Sequence, residues 1–508
     1  MKKILSLVLS LAMLLTSAAM PAVAEEEPVV LNVFYATSRP MNEATNLTRE
    51  YIKEKIGVDF NLTEGDGSNF QQQLALYIAD NKMPDVVRLD YDLWKEYAAE
   101  GAWADLTDYV TDEYTDLNNY VGEYWTYARQ NGRIMGIPSL SGTPSNHVVA
   151  IRQDWLNKLN LEVPQTLDDY INVMRAFTND DPDGDGEKNT YGMGGSGTGT
   201  LSPLFGAYGA SPDESFFLNE DGTITTNAIS EGYKQGLKTI RDLYAEGLID
   251  PEVFTCSNDQ MLNKWCRGEM GIMSAAWSRA GNAYLRYDFA TLQPDAEVKI
   301  ILPPTGPDGE SNSISNSPMS AMLAVSYQAS PEKIEAAMKL FNFASSPFGW
   351  RVTMYGIPGE FFDYDEATQQ TLWTSDLNNG VSKSGKYEVT DMQVYKLFNH
   401  AGWEAQGDGL IDAPHGQMWK AGSAMRFEEN VKPNVFVMFK TEEYTELFGE
   451  VDTYFRTSML AFIMGEKDID AEWDNYVETY LSMGGEEIRQ SQLKAYNEAF
   501  GTNCTFAE

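Results

Sequence analysis

Hydrophobic positions change period along this chain, and each change predicts an element. Residues 4–15 form a predominantly apolar run behind Lys2 and Lys3, and Ala22, Val23 and Ala24 follow. This is the layout of a secretory signal over residues 1–24 with a small-residue cleavage site, too short to span a membrane. Residues 29–35 then read as an apolar strand, 42–56 as a helix stopped by Gly57, 58–62 as a strand, 68–80 as a helix and 84–87 as a third strand. Strands alternating with helices predict an α/β, doubly wound sheet. Ligands of such sheets bind beyond the carboxyl ends of the strands. Tyr35, Arg39, Asp90 and Tyr91 are therefore candidate contacts, although Tyr35 reads equally as core and Arg39 as a solvated loop residue.

Farther along, 148–151 is a short apolar strand, and Thr166 with Asp169 predicts a capped helix start. Leu167, Tyr170, Ile171, Met174 and Phe177 share one face of that helix, which hands the chain to an acidic loop. In the loop, Asp181, Asp183 and Asp185 alternate on a glycine-broken backbone and repel one another unless a hard cation neutralises them. Oxygen ligands at positions 1, 3 and 5 with Gly186 at position 6 are the opening of a calcium loop. Position 12 is Gly192 instead of the bidentate Glu of an EF-hand, so the carbonyl of Glu187, Asn189 and Thr190 are the remaining candidate ligands. The plain alternative is a solvated Asp-Gly turn. Near the end of the chain, Trp473, Tyr476, Val477, Tyr480 and Leu481 repeat at helical spacing and predict a core stripe, stopped by Gly484 and Gly485.

A chain of 508 residues exceeds what one core organises, which makes two lobes the expectation. The net charge of -38 repels nucleic acid and anionic lipid. Cys256, Cys266 and Cys504 are too few for a disulfide scaffold. No later apolar stretch reaches the length of a membrane-spanning helix. The Gly/Pro/Ser-rich stretch 132–146 separates two α/β patterns and reads as a passage between lobes.

The strings GRIMGIP (132–138), IRQDWL (151–156), PQTLDDY (164–170) and the acidic loop ending in TYG resemble family 1 extracellular solute-binding proteins of ABC sugar importers. The long LplA-like and alginate-oligosaccharide-binding members are the most similar, and several of those carry a calcium loop here. MPDVVRLD (83–90), PPTGPDG (303–309) and the stretch from 463 to 500 extend the resemblance over nearly the whole chain. Asn189 departs from the family's usual Asp.

The resemblance implies a type II periplasmic-binding-protein fold of two discontinuous lobes joined by a hinge. Residues 25–146 and 316–356 would form one lobe, and 147–315 and 357–508 the other, with further passages at 303–309 and 355–359. It also implies an oligosaccharide ligand, a structural Ca2+, ABC permease subunits as partners, a monomer and an exported, periplasmic or extracellular location. The apolar run has no lipobox cysteine. Trp277, after the GIMSAAW strand, is the leading ligand contact the family pattern offers, followed by Asn316, Tyr355, Phe361, Trp403 and Trp419.

Two other classes stand beside this reading. A secreted carbohydrate-active enzyme needs two carboxylates facing across a cleft, which 75 acidic residues always allow someone to nominate. The sequence has no nucleophile elbow, HExxH or Walker loop, and His147, His400 and His415 read as surface or hinge residues, so no catalytic residue is assigned. A ligand-loaded sensor docking on a membrane receptor has the same sequence requirements as a transport protein.

Overall fold

The structure, a computed structural model, describes residues 28–36, 42–65, 69–142, 145, 147–368, 370–375, 381–388, 397–398, 417–418, 421–422, 424–425 and 431–507. In chain order the strands of its two largest sheets are β1 (Val29–Ala36), β2 (Val58–Gly65), β3 (Val86–Leu89), β4 (Ile137–Leu140), β5 (His147–Arg152), β6 (Tyr191–Gly194), β7 (Met270–Ala276), β8 (Val298–Ile301) and β9 (Met319–Val325). The first sheet has the order β2-β1-β3-β9-β4 and the second β8-β5-β7-β6. β1 runs parallel to β2 and β3, whereas β9 is antiparallel to both of its neighbours. β5 is likewise antiparallel to β7 and β8.

These directions follow from the route of the chain. It leaves the first sheet at Leu140, the carboxyl end of β4, and enters the second at His147, which lies opposite Ala276 at the carboxyl end of β7. A strand that enters a sheet from its carboxyl edge must run against the others. The same holds for β9, which brings the chain back. Both sheets therefore turn their carboxyl edges toward the shared passages.

The helices used below are α1 (Glu43–Ile56), α2 (Phe70–Ala79), α3 (Tyr91–Ala99), α4 (Thr115–Val121), α5 (Leu167–Asn179), α6 (Pro331–Ser345), α7 (Glu442–Ile463), α8 (Ile469–Tyr480) and α9 (Glu486–Phe500). Sequence signals explain their ends: Asn42 caps α1, and Gly57 closes it in the left-handed conformation that glycine tolerates. Thr166 and Asp169 form the expected capping box of α5. One hydrophobic core gathers Leu31, Val33, Val87, Leu323, Phe341 and Trp350, and a second gathers Ile151, Trp155, Phe177, Leu237, Phe455 and Tyr476. Trp473, Tyr476 and Tyr480 are buried as the stripe predicted, and Gly484, at φ 122°, breaks the helix before α9.

The passages depart from expectation at two places. The Pro/Gly stretch 303–309 stays with the second sheet: Thr305 pairs with Thr166 and its carbonyl accepts from the Leu167 N–H at 2.9 Å. The return runs through 312–318, where Ser315 pairs with Ser145 and the Ser141 N–H donates to the Pro318 carbonyl at 2.9 Å. Nor does the chain leave the first core at 355–359, because Tyr355, Phe361, Phe362, Leu397 and Phe398 all belong to it. Met418, Ala421 and Met425 pack on a third, smaller cluster beside β7. Residues 432–434 then run alongside the return passage, with Lys432 N–H on Asn312 Oδ1 at 2.8 Å and Asn434 N–H on Ser315 Oγ at 3.2 Å. Pro and Gly mark where a chain turns, not which core it turns toward.

Candidate functional site

At the carboxyl edge of the first sheet, Tyr35 on β1 and Arg88 on β3 are register partners. The Arg88 Nε–H donates to the Leu397 carbonyl at 3.3 Å. Burial pulls the guanidinium below its ordinary pKa, while the Tyr35 and Tyr120 phenols favour its charge. Tyr120, near the end of α4, accepts from the Leu140 N–H at 2.8 Å, where the first passage starts. Asp90 accepts from the Leu93 N–H at 2.8 Å and caps α3 with its exposed side chain, so its carboxylate has a structural task. Tyr91, half-buried against Trp94 at 5.5 Å, has its phenol pushed up to about 12 by burial and then by Asp92.

Across the passage, His147 opens β5. Burial holds its imidazole below the ordinary value and therefore neutral at pH 7, and its Nδ1 has no hydrogen-bond partner among the described residues. Trp277 follows β7 and is half-buried against the third cluster, together with Met418 and Ala421. Gly422 lies so close that a Cβ there would stand 2.7 Å from the Trp277 carbonyl oxygen. Asn316 lies in the wall of a cavity of about 740 Å³ that also has Leu140 and Ser141 of the first passage, Tyr124, Tyr127, Asn434, Tyr496 and Phe500 around it. Tyr355 and Phe361 are core residues, 8% and 0% exposed, so neither offers a ring face to a ligand in this structure. Arg39, Trp403 and Trp419 lie outside the described residues, as do Asp408, Asp412 and His415.

The acidic loop has the geometry its spacing suggests. One carboxylate oxygen each from Asp181, Asp183 and Asp185 lies within 4.8 Å of the others. Asp181 sits at φ 50°, and its Oδ1 accepts from the Gly184 and Gly186 N–H groups at 2.9 and 3.4 Å. Against a desolvation effect, those donors hold the Asp181 carboxyl below its usual value. Burial, followed by the neighbouring Asp185 and Asp181 charges, pushes Asp183 up. Asn189 donates to Asp185 Oδ2 at 2.8 Å, which brings its amide to the carboxylates, and Glu187 is exposed. Thr190 is placed otherwise: its buried hydroxyl donates to the Phe177 carbonyl at 2.7 Å and anchors the loop to α5. Gly192 is pressed against α5, where a Cβ would stand 2.6 Å from Met174 Cα. The position at which an EF-hand carries its bidentate Glu has no room for a side chain.

The pattern of the bacterial extracellular solute-binding proteins matches residues 36–348, more than half of the chain. The chain belongs to this family. Among curated relatives of this solute-binding protein is a fructooligosaccharide ABC transporter substrate-binding protein, FusA of Streptococcus pneumoniae, 31% identical over 42% of this chain and 43% of FusA. The chain thus aligns with less than half of that relative's length. The polygalacturonan/rhamnogalacturonan-binding protein YtcQ of Bacillus subtilis is 24% identical over 88% of this chain and 87% of its own. Among solved structures, the alginate-binding protein AlgQ2 without calcium ion superposes with a TM-score of 0.63 at 21% identity, covering 93% of this chain and 98% of that one. An EF-hand mutant of FusA in complex with fructo-nystose gives 0.65 at 21% identity, over 93% and 100%. At these identities the structures establish the fold, a periplasmic-binding architecture of α/β sheets.

Sequence reading missed Arg88 and Tyr120 at the strand edge of this solute-binding protein. The signal for Arg88 was there: a cation interrupts an otherwise apolar central strand within MPDVVRLD. Tyr120 had none, because only the fold brings α4 to the end of β4.

Proposed function

We propose that this solute-binding protein captures an oligosaccharide between the carboxyl edges of its two sheets and delivers it to the permease subunits of an ABC importer. The observation that carries the reading is that both sheets present their carboxyl edges to shared passages, with Tyr35 and Arg88 on one side and His147 and Trp277 on the other. The two cores act as lobes, and closing them around a ligand couples occupancy to docking. The protein is exported under residues 1–24, acts as a monomer and performs no catalysis.

Calcium is held by Asp181, Asp183, Asp185, the Glu187 carbonyl and Asn189, and it stabilises the loop after α5 without touching the sugar. Three converging carboxylates fit a hard oxygen-ligated cation, which would neutralise their mutual repulsion.

A thermal-shift screen of the mature protein against neutral and acidic oligosaccharides tests this function. A ligand at a hundred times its dissociation constant adds roughly 2.7 kcal/mol of stability. No shift with any glycan sinks the reading, and recovery of shortened glycan would return the enzyme alternative. Trp277→Ala is expected to weaken the binding glycan by about tenfold or more through loss of a stacking face, with the melting temperature of the free protein little changed. Titration calorimetry checks it, and unchanged affinity removes Trp277 from the site.

A further inference from the structure

We propose that Arg88 recognises a carboxylate on the captured glycan, so that the preferred ligand is an acidic, uronate-bearing oligosaccharide. The inference rests on the oligosaccharide reading above and narrows it. Arg88 lies on β3, one residue before the carboxyl end of that central strand, beside Tyr35 and close to the start of the first passage through Tyr120.

What singles it out is its company. Enclosing a guanidinium is unfavourable unless an anion or a full set of polar partners compensates its charge. Two other enclosed cations, Arg152 and Lys264, each face a carboxylate, Asp154 at 2.6 Å and Asp250 at 2.7 Å. Among the described residues Arg88 meets no carboxylate: a carbonyl takes its Nε–H, and two phenols are the groups that act on its charge. This occurs in a chain with 75 acidic and 37 basic residues, where a partner was cheap to supply. Arg351 offers a useful contrast. It is 3% exposed, donates to Pro347 and Thr371, and lies over the Tyr364 ring at 4.9 Å, which marks a structural cation enclosed in the core. Arg88 keeps partial exposure.

With Nε committed to Leu397, the two terminal nitrogens remain as a planar fork. A planar carboxylate matches that fork with two parallel, charge-assisted hydrogen bonds. A neutral sugar hydroxyl would leave the charge uncompensated.

The test is calorimetric titration of the mature protein with galacturonate and mannuronate trimers, their methyl esters, a sulfated galactan trimer, and neutral galactan and fructan trimers. At least one uronate trimer is expected to bind tenfold or more tightly than its own ester. That preference should vanish in Arg88→Gln and return in part in Arg88→Lys, which restores charge without the fork. Should Arg88→Gln fail to fold for want of its Leu397 contact, the acid-against-ester comparison on the unaltered protein decides alone. Equal affinity for acid and ester, a preference that survives in folded Arg88→Gln, or binding of a neutral trimer only, overturns the proposal and leaves the oligosaccharide reading standing. Preference for the sulfated trimer over both uronates overturns the carboxylate in favour of a sulfate ester. Binding of none of these probes overturns the oligosaccharide reading itself.

Discussion

Glu214→Gln is expected to stabilise the protein at pH 8 and to leave it unchanged near pH 4.5. Glu214 lines a cavity of about 200 Å³ enclosed by α7, α9, the end of α8 and residues 434–440. Burial pushes its carboxyl up to about 8, against a hydrogen bond with Tyr480 and the nearby Arg456, and the neighbouring Asp452 adds to the rise. Asp213 and Lys440 are the other charged groups in the wall, with Tyr444 and Gln492 beside them. Lys440 is engaged with Asp92 and Arg456 with Asp452, and Glu214 Oε2 has no partner among the described residues.

Below pH 4.5 the carboxyl is protonated in folded and unfolded chains alike. Between 4.5 and about 8 the unfolded chain ionises while the folded chain keeps its proton, so stability falls as pH rises. At 1.36 kcal/mol per pH unit, the loss across that window is about 4–5 kcal/mol. Glutamine keeps the shape and removes the titration. The difference between the two proteins, followed by denaturant unfolding from pH 4.5 to 8, should grow steadily in favour of the variant. Taking the difference cancels the opposite trend of carboxyls such as Asp59, whose pairing with Arg49 and Lys53 overcomes desolvation and is lost in acid. Parallel curves for the two proteins would show that Glu214 ionises normally.

The second large effect belongs to the acidic loop. Calcium at a hundred times its dissociation constant should raise stability by about 2.7 kcal/mol, and EDTA should return it to the starting value. Asp183→Ala should abolish that response, because Asp183 contributes one of three converging carboxylates and is the one pushed up by burial and its neighbours. Glycan affinity should change little, since the loop joins the end of α5 to the amino end of β6, at the edge of the second sheet opposite its carboxyl edge. Melting curves with calcium and with EDTA, paired with calorimetry, separate the two roles. An affinity that collapses while the calcium response persists would move the loop into the ligand site.

Much of this was legible because it is local. The capping box at Thr166 and Asp169, the stop at Gly57, the stripe from Trp473 to Tyr480 and the alternate carboxylates of the loop all lie within a few turns of chain, where spacing alone brings side chains together. What failed was orientation. Tyr355 and Phe361 flank the Gly/Pro turn 356–359, where a passage to the other lobe was expected, yet the turn folds back onto the first core and buries them. Thr190 sits in ligand spacing, but the close approach of Gly192 to Met174 turns its hydroxyl toward α5.

The sequence by itself determined an exported, acidic, two-core α/β chain of the solute-binding kind with a carboxylate loop, because period, caps and spacing are properties of neighbouring residues. Tertiary structure alone decided where the passages run and that Arg88 meets Tyr35, Tyr120 and a carbonyl 309 residues farther along the chain. Those contacts depend on how helices and sheets pack over one another, and packing couples positions whose separation no local pattern records.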